Sequence, residues 1–185
     1  METRTVKGSH VLQVKKWVDE RLEPGAFAAL TKSAPGDWTI ILPMAWYDID
    51  VLHSALAETC RRTKVSVEEA QTLIARRNAA ADLTSLYRFF MRVAQPQRLL
   101  THTPRLWRTY VSFGEASAIR NEKGHYIGQG DGFDESLVPW ACGSWAGFIP
   151  CAIELAGGRH LRSRIIKRWQ TGDRKYSVQL EVLYD

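Results

Sequence analysis

The chain has 185 residues, 45% of them hydrophobic and 24% charged, with a formal net charge of +5. That length supports one globular domain with its own core, and the composition excludes a collagen-like or low-complexity chain. Three irregularly spaced cysteines, Cys60, Cys142 and Cys151, argue against a disulfide framework and for a reducing, cytoplasmic setting. The opening residues, METRTVKGSH, hold no apolar signal-peptide segment.

In chain order, Val11, Val14, Val18 and Leu22 recur at helical spacing after Ser9. Pro24 and Gly25 punctuate a second segment in which Phe27 and Leu30 face inward. A turn at SAPGD precedes a short apolar run from Ile40 to Leu42, closed by Pro43. A helix is read from near Asp48, with Ile49, Leu52, Leu56 and Cys60 on one stripe. Arg61, Arg62 and Lys64 suit the negative end of its dipole. Ser66 and Glu69 have the spacing of a capping box, and Leu73 and Ile74 start the apolar face that follows. DLTSLYRFFMRVA carries Leu83, Leu86, Tyr87, Phe90, Met91 and Ala94 on one wide stripe, ended at Pro96. Thr103 then reads as an N-cap and Pro104 as the first residue of a helix. Leu106, Trp107, Tyr110 and Val111 form its inner face, and Gly114 is read as its stop.

From there the period changes. EASAIR and HYIGQG flank turn chemistry at Asn121 to Gly124 and read as a hairpin, followed by a mobile Gly/Asp-rich loop, GQGDGFDES. Residues 137–158, LVPWACGSWAGFIPCAIELAGG, carry a single charge, Glu154. Pro139, Pro150 and the glycines make this stretch a poor membrane span and a better buried helix. A closing hairpin turns at Thr171 to Asp173. Tyr176, Val178, Leu180 and Val182 share one face of its last strand, and Ser177, Gln179 and Glu181 the other. The strand before it is basic, with Arg162, Arg164 and Arg168 read on the wet side beside Gln179 and Glu181. The expected fold is α+β: a helical N-terminal half (1–113) packed beside a four-stranded antiparallel sheet of β-hairpin, helix and β-hairpin (114–185), in one domain.

The segment GFIPCAIELAGGRHLRSRIIKRWQTGDRKYSVQLEV resembles the end of 4-vinyl reductase domains. The wider set VKGSHVL, WYDIDV, LYRFF, QPQRLL, PRLWRTYVSFG and AGGRHLR is similar to an uncharacterised myxobacterial paralogous family. The resemblance implies a fold shared with haem–nitric-oxide-binding domains and with subunits of a Golgi tethering complex. Members enclose a small or hydrophobic ligand, or act as assembly scaffolds. Zinc-holding members place an acid and two cysteines around the Gly-Asp turn. Ile165, Arg168 and Tyr176 stand there instead, which argues against a metal site, and only Cys142 matches an upstream cysteine. Haem-binding members use a histidine and a later Tyr-x-Ser-x-Arg. YVSFG keeps Tyr110 and Ser112 but has Gly114 for the arginine, and His102 lies only eight residues before Tyr110.

No residue set asks for catalysis. Asp48, Asp50 and His53 could do acid–base work, or could simply open a helix. The aromatic set Tyr87, Phe90, Trp107, Tyr110, Trp145 and Phe148 is read as core that can line a ligand pocket. The expectation is a non-catalytic sensory or regulatory domain without cofactor or metal. It binds a small, largely apolar molecule and signals through a protein partner or homodimer. Arg162, Arg164 and Arg168 are the candidate partner surface, and nucleic acid is not expected. The alternatives are a ligand-free structural or interaction module, a haem sensor, and an enzyme using Asp50 and His53.

Overall fold

The computed structural model describes residues 3–85, 95–172 and 174–185. A short strand, β1 (Thr5–Lys7), feeds α1 (Gly8–Arg21), which turns Val11, Val14, Trp17 and Val18 inward. α2 (Ala26–Thr31) buries Phe27. β2 (Trp46–Asp48) pairs antiparallel with β1, Val6 opposite Tyr47. The run before it leaves Ile40, Leu42 and Met44 exposed. α3 (Ile49–Thr63) starts where expected: the Asp48 side chain accepts from the Asp50 N–H at 2.7 Å. α4 (Val67–Ser85) opens on the expected capping box. Ser66 Oγ accepts from the Glu69 N–H at 3.2 Å, and Glu69 Oε2 from the Ser66 N–H at 3.1 Å. The first residues of the aromatic-rich stretch, Asp82 to Ser85, belong to α4. Leu86, Tyr87, Phe90, Met91 and Ala94 lie outside the described residues.

Pro96 opens a short helix, α5 (Pro96–Thr101), and α6 (Thr103–Tyr110) follows almost at once. Two sequence expectations change here. Thr103 is inside α6 rather than its cap: its hydroxyl donates to Leu100 O at 2.7 Å, in the last turn of α5, and accepts from Tyr126 Oη at 3.0 Å. α6 ends at Tyr110, not Gly114, because Val111 is drawn into an antiparallel bridge with Val6 and the Ser112 N–H donates to Thr5 O.

β3 (Glu115–Glu122), β4 (His125–Asp134), β5 (Arg162–Gln170) and β6 (Lys175–Leu183) form one antiparallel sheet in the order β3-β4-β6-β5. This is the α+β fold with the four-stranded sheet that the sequence pattern implies. The Gly/Asp-rich stretch is not a mobile loop; most of it is β4. Its glycines serve a close approach. A Cβ on Gly128 would lie 2.4 Å from Trp145 Cζ3, and one on Gly130 would lie 2.8 Å from Trp145 Nε1.

That tryptophan belongs to α7 (Val138–Leu155), the long apolar helix, which lies between the sheet and α4. By length and hydropathy it could cross a membrane, but 67% of the window is buried inside the protein. Gly143 and Gly147, one turn apart, let α7 touch the α4 backbone. Added Cβ atoms there would sit 2.5 Å from Glu68 O and 2.2 Å from Thr72 O. This is the small-xxx-small mode of close helix packing, used here within one chain.

The closing hairpin keeps the expected core face on β6, with Val178, Leu180 and Val182 buried. On β5 the simple alternation fails. A bulge between Ile165 and Lys167 shifts the register, so Arg164 pairs with Glu181 but Arg168 pairs with Val178. The extra residue sends Arg168 to the opposite sheet face from Arg162 and Arg164.

Candidate functional site

Between the helical half and α7 lies a cavity of about 60 Å³. Its aromatic wall comes from α6 and α7. Trp107 stacks on Trp145 at 5.8 Å between centroids with an interplanar angle of 28°, and Tyr110 tilts over Phe148 at 5.5 Å. These four lining residues are the described members of the aromatic set read from sequence; Tyr87 and Phe90 lie outside the described residues. The α6 helix can present Trp107 and Tyr110 together because they are three residues apart, and α7 does the same with Trp145 and Phe148.

The cavity also has polar members that the aromatic pattern does not reveal: His10 from α1, Gln71 and Asn78 from α4, and Ser144 from α7. Gln71 Nε2 donates to Ser144 Oγ at 2.9 Å and meets His10 Nε2 at 3.3 Å. A sequence signal for them exists. Gln71 and Asn78 fall on the same helical stripe as the buried Ile74 and Ala75, where a polar side chain needs a reason.

Burial lowers the pKa of His10 to about 4, so the ring is neutral at pH 7. Its edge meets the Trp140 ring at 6.0 Å. The folded value lies below the ordinary 6.5, so between pH 6.5 and 4 the unfolded chain binds more protons than the folded one. Stability is therefore full above pH 6.5 and falls as pH drops, by about 3 kcal/mol once pH is below 4. Replacing His10 with Gln should flatten this slope. Urea midpoints of both proteins at pH 7 and pH 4.5 check it, and parallel slopes would sink the assignment.

The other sequence candidates are placed apart from the cavity. Asp48 caps α3, and both oxygens of Asp50 bind Arg4 Nη2, at 2.7 and 2.8 Å. Burial is the main force lowering the His53 pKa. Neither Asp50 nor His53 lines the cavity. The three arginines do not form one surface. Arg164 binds Glu181, which also meets His125 at 3.0 Å, while Arg168 reaches across the other sheet face to Glu68 of α4 at 2.7 Å. Arg162 is exposed beside Leu183.

No protein-family model and no curated protein sequence matches the chain. Solved structures do. A Cs H-NOX mutant carrying an unnatural cyano-phenylalanine is similar over 97% of this chain and 96% of its own, with TM-score 0.73 and 13% identity. A T. Tengcongensis H-NOX mutant gives 0.72 at 13% identity, over 97% of both chains. An oxygen-binding H-NOX domain related to soluble guanylate cyclases, in its oxygen complex, gives 0.70 at 12%, over 97% of this chain and 95% of its own. The chain thus has the fold of H-NOX domains, the haem–nitric-oxide-binding architecture that the resemblance implied.

Two of the similar solved structures concern haem or porphyrin distortion, one of them in the H-NOX family. The described residues here do not fit a haem. The cavity holds about 60 Å³, whereas pockets for drug-sized ligands start at roughly 300 Å³. His102 is exposed and is not among the lining residues. Ser112 Oγ is taken up by the N–H and hydroxyl of Thr5, at 2.8 and 2.9 Å. At Gly114 a Cβ would lie 2.8 Å from Asp131 O, so no arginine can stand there.

Proposed function

We propose that this chain is a single-domain, non-catalytic sensory or regulatory module that binds a small, largely apolar molecule in the aromatic cavity, without haem. The observation that carries this reading is the partly open, apolar space of about 60 Å³ walled by Trp107, Tyr110, Trp145 and Phe148. A void of that size in a close-packed interior forfeits dispersion contacts that a ligand restores. The H-NOX fold supports the same reading, since one structure with this fold is an oxygen complex. The cavity adjoins α4 and α7, which bear directly on the sheet and on α1. A bound molecule that shifts α7 against α4 therefore has a route to a protein partner or a second copy. The resemblance to 4-vinyl reductase domains and their myxobacterial relatives points the same way.

Xenon is the simplest probe. Pressurising the protein with xenon should shift the indole N–H resonances of Trp107, Trp140 and Trp145 saturably, while those of Trp46 and Trp169 stay in place. Equimolar haemin should give no ligated Soret band. A seam that ignores xenon would sink the pocket, and a stable haem complex would restore the haem reading.

A further inference from the structure

We propose that the free edge of β5 receives an extended, acidic segment of a partner protein as an added strand. The surface stands apart from the cavity, and three observations lead to it. The first is the edge itself. The sheet order β3-β4-β6-β5 leaves two outer strands. β3 is covered: it packs against α5 and α6, and Asn121 Nδ2 donates to Gln97 O at 2.9 Å. β5 pairs with β6 on one side, and among the described residues no strand pairs with its other side. Seven of its nine residues are exposed. The backbone N–H and C=O groups along such an edge are a template for one more strand.

The second observation is where the charge of the chain lies. Residues 159–175 hold seven of its 25 lysines and arginines against one acid, Asp173, while the whole chain carries only +5. The excess therefore sits on β5 and its flanks, and the remainder is close to neutral. The third is the register, which puts a basic row on one face. Arg162, Arg164 and Lys167 stand opposite Leu183, Glu181 and Gln179, on the sheet face away from α7. Arg168 belongs to the other face, tied to Glu68. Arg164 meets Glu181 yet stays 75% exposed, and among the described residues Arg162 and Lys167 meet no carboxylate. The Lys167 ammonium rests over the Trp169 ring at 4.6 Å. This row decides the occupant. A second copy pairing edge to edge would set like charges against each other, which destabilises a ladder. A strand with Glu or Asp on alternate residues instead sets carboxylates beside the cations, at the repeat of roughly 7 Å between side chains on one face. The bulge between Ile165 and Lys167 divides the edge into two short runs, so charge selects the partner more than ladder length does.

The probe is a short blocked peptide alternating Glu with Thr, titrated into the full chain while backbone amide resonances are followed. It should move the amides of Arg162 to Gln170 saturably, with a dissociation constant below about 1 mM. The same peptide with Gln for Glu keeps the ladder and loses the charge; it should bind at least about ten-fold more weakly. The acidic peptide with every backbone nitrogen methylated keeps the charge and loses the ladder; it should bind at least about five-fold more weakly. Arg162→Glu and Lys167→Glu, both at exposed positions, should each weaken the acidic peptide by about five-fold, against less than about two-fold for Lys16→Glu on α1. Absence of shifts on β5, equal binding of the Gln peptide, or unchanged binding in either variant overturns the proposal. Equal binding of the methylated peptide also overturns it, since attraction without strand addition would then suffice. A mixed-sequence DNA duplex that displaces the acidic peptide at lower concentration overturns it in favour of nucleic acid. Should a variant fail to fold, the three peptides on the unsubstituted chain decide alone. Xenon entry into the cavity is read separately, so this proposal and the ligand-binding reading fail independently.

Discussion

Gly147→Val is expected to cost more than about 3 kcal/mol or to prevent folding. The added Cβ would stand 2.2 Å from Thr72 O and 2.9 Å from Arg76 N. Both are main-chain atoms of α4, so no side-chain rotation relieves the overlap. The helices would have to part by more than 1 Å or so, opening the interface that fixes α7 between α4 and the sheet. Most domains of this size hold only about 5–15 kcal/mol in total, so the loss would be a large share. Gly157→Ala is the contrast. No atom lies within 4 Å of its Cβ position, and only its φ of +96° is unfavourable, which costs about 1 kcal/mol. Urea unfolding of the two variants compares them at constant m-value. A Gly147→Val protein within 1 kcal/mol or so of the parent would mean that α7 does not touch the α4 backbone at this point.

The same glycines mark where the sequence was and was not legible. Signals written over three or four residues came through: Asp48 bonds the N–H two residues on, and Ser66 and Glu69 bond each other. Strict alternation gave the core face of β6, where Val178, Leu180 and Val182 are buried, but the opposite face is not simply wet: Ser177 is buried there too, its hydroxyl donating to the Asp131 carboxylate. Glycine-rich β4 read as a loop because glycine is locally a turn residue. Its reason lies in Trp145, a ring supplied by another element. The bulge in β5 was hidden for a similar cause. Arg168 is held on the helix side by Glu68, 100 residues away along the chain, and no local pattern carries that partner. Apolar helix faces pointed to Trp107, Tyr110, Trp145 and Phe148 as one wall. The His10–Gln71–Ser144 cluster was not found, because three helices each contribute one member.

Trp107→Ala should both destabilise the protein and change what it can bind. The ring stacks on Trp145 and meets Phe133 edge-on at 5.6 Å and Trp140 at 6.2 Å. Its Nε1 donates to Phe113 O at 3.0 Å. Truncation removes the transfer energy, leaves a void and strands that carbonyl, for about 3–5 kcal/mol in all. The void would join the existing space of about 60 Å³, and an apolar cavity of about 150 Å³ binds benzene. Benzene should therefore bind the variant and not the parent. At 100 times its dissociation constant it would return about 2.7 kcal/mol of the lost stability. Thermal unfolding of both proteins with and without benzene reads the two effects together. A midpoint in the variant that falls without recovering on benzene would mean that the seam collapses around the missing ring. A midpoint that hardly falls would mean that Trp107 is not part of the packed wall.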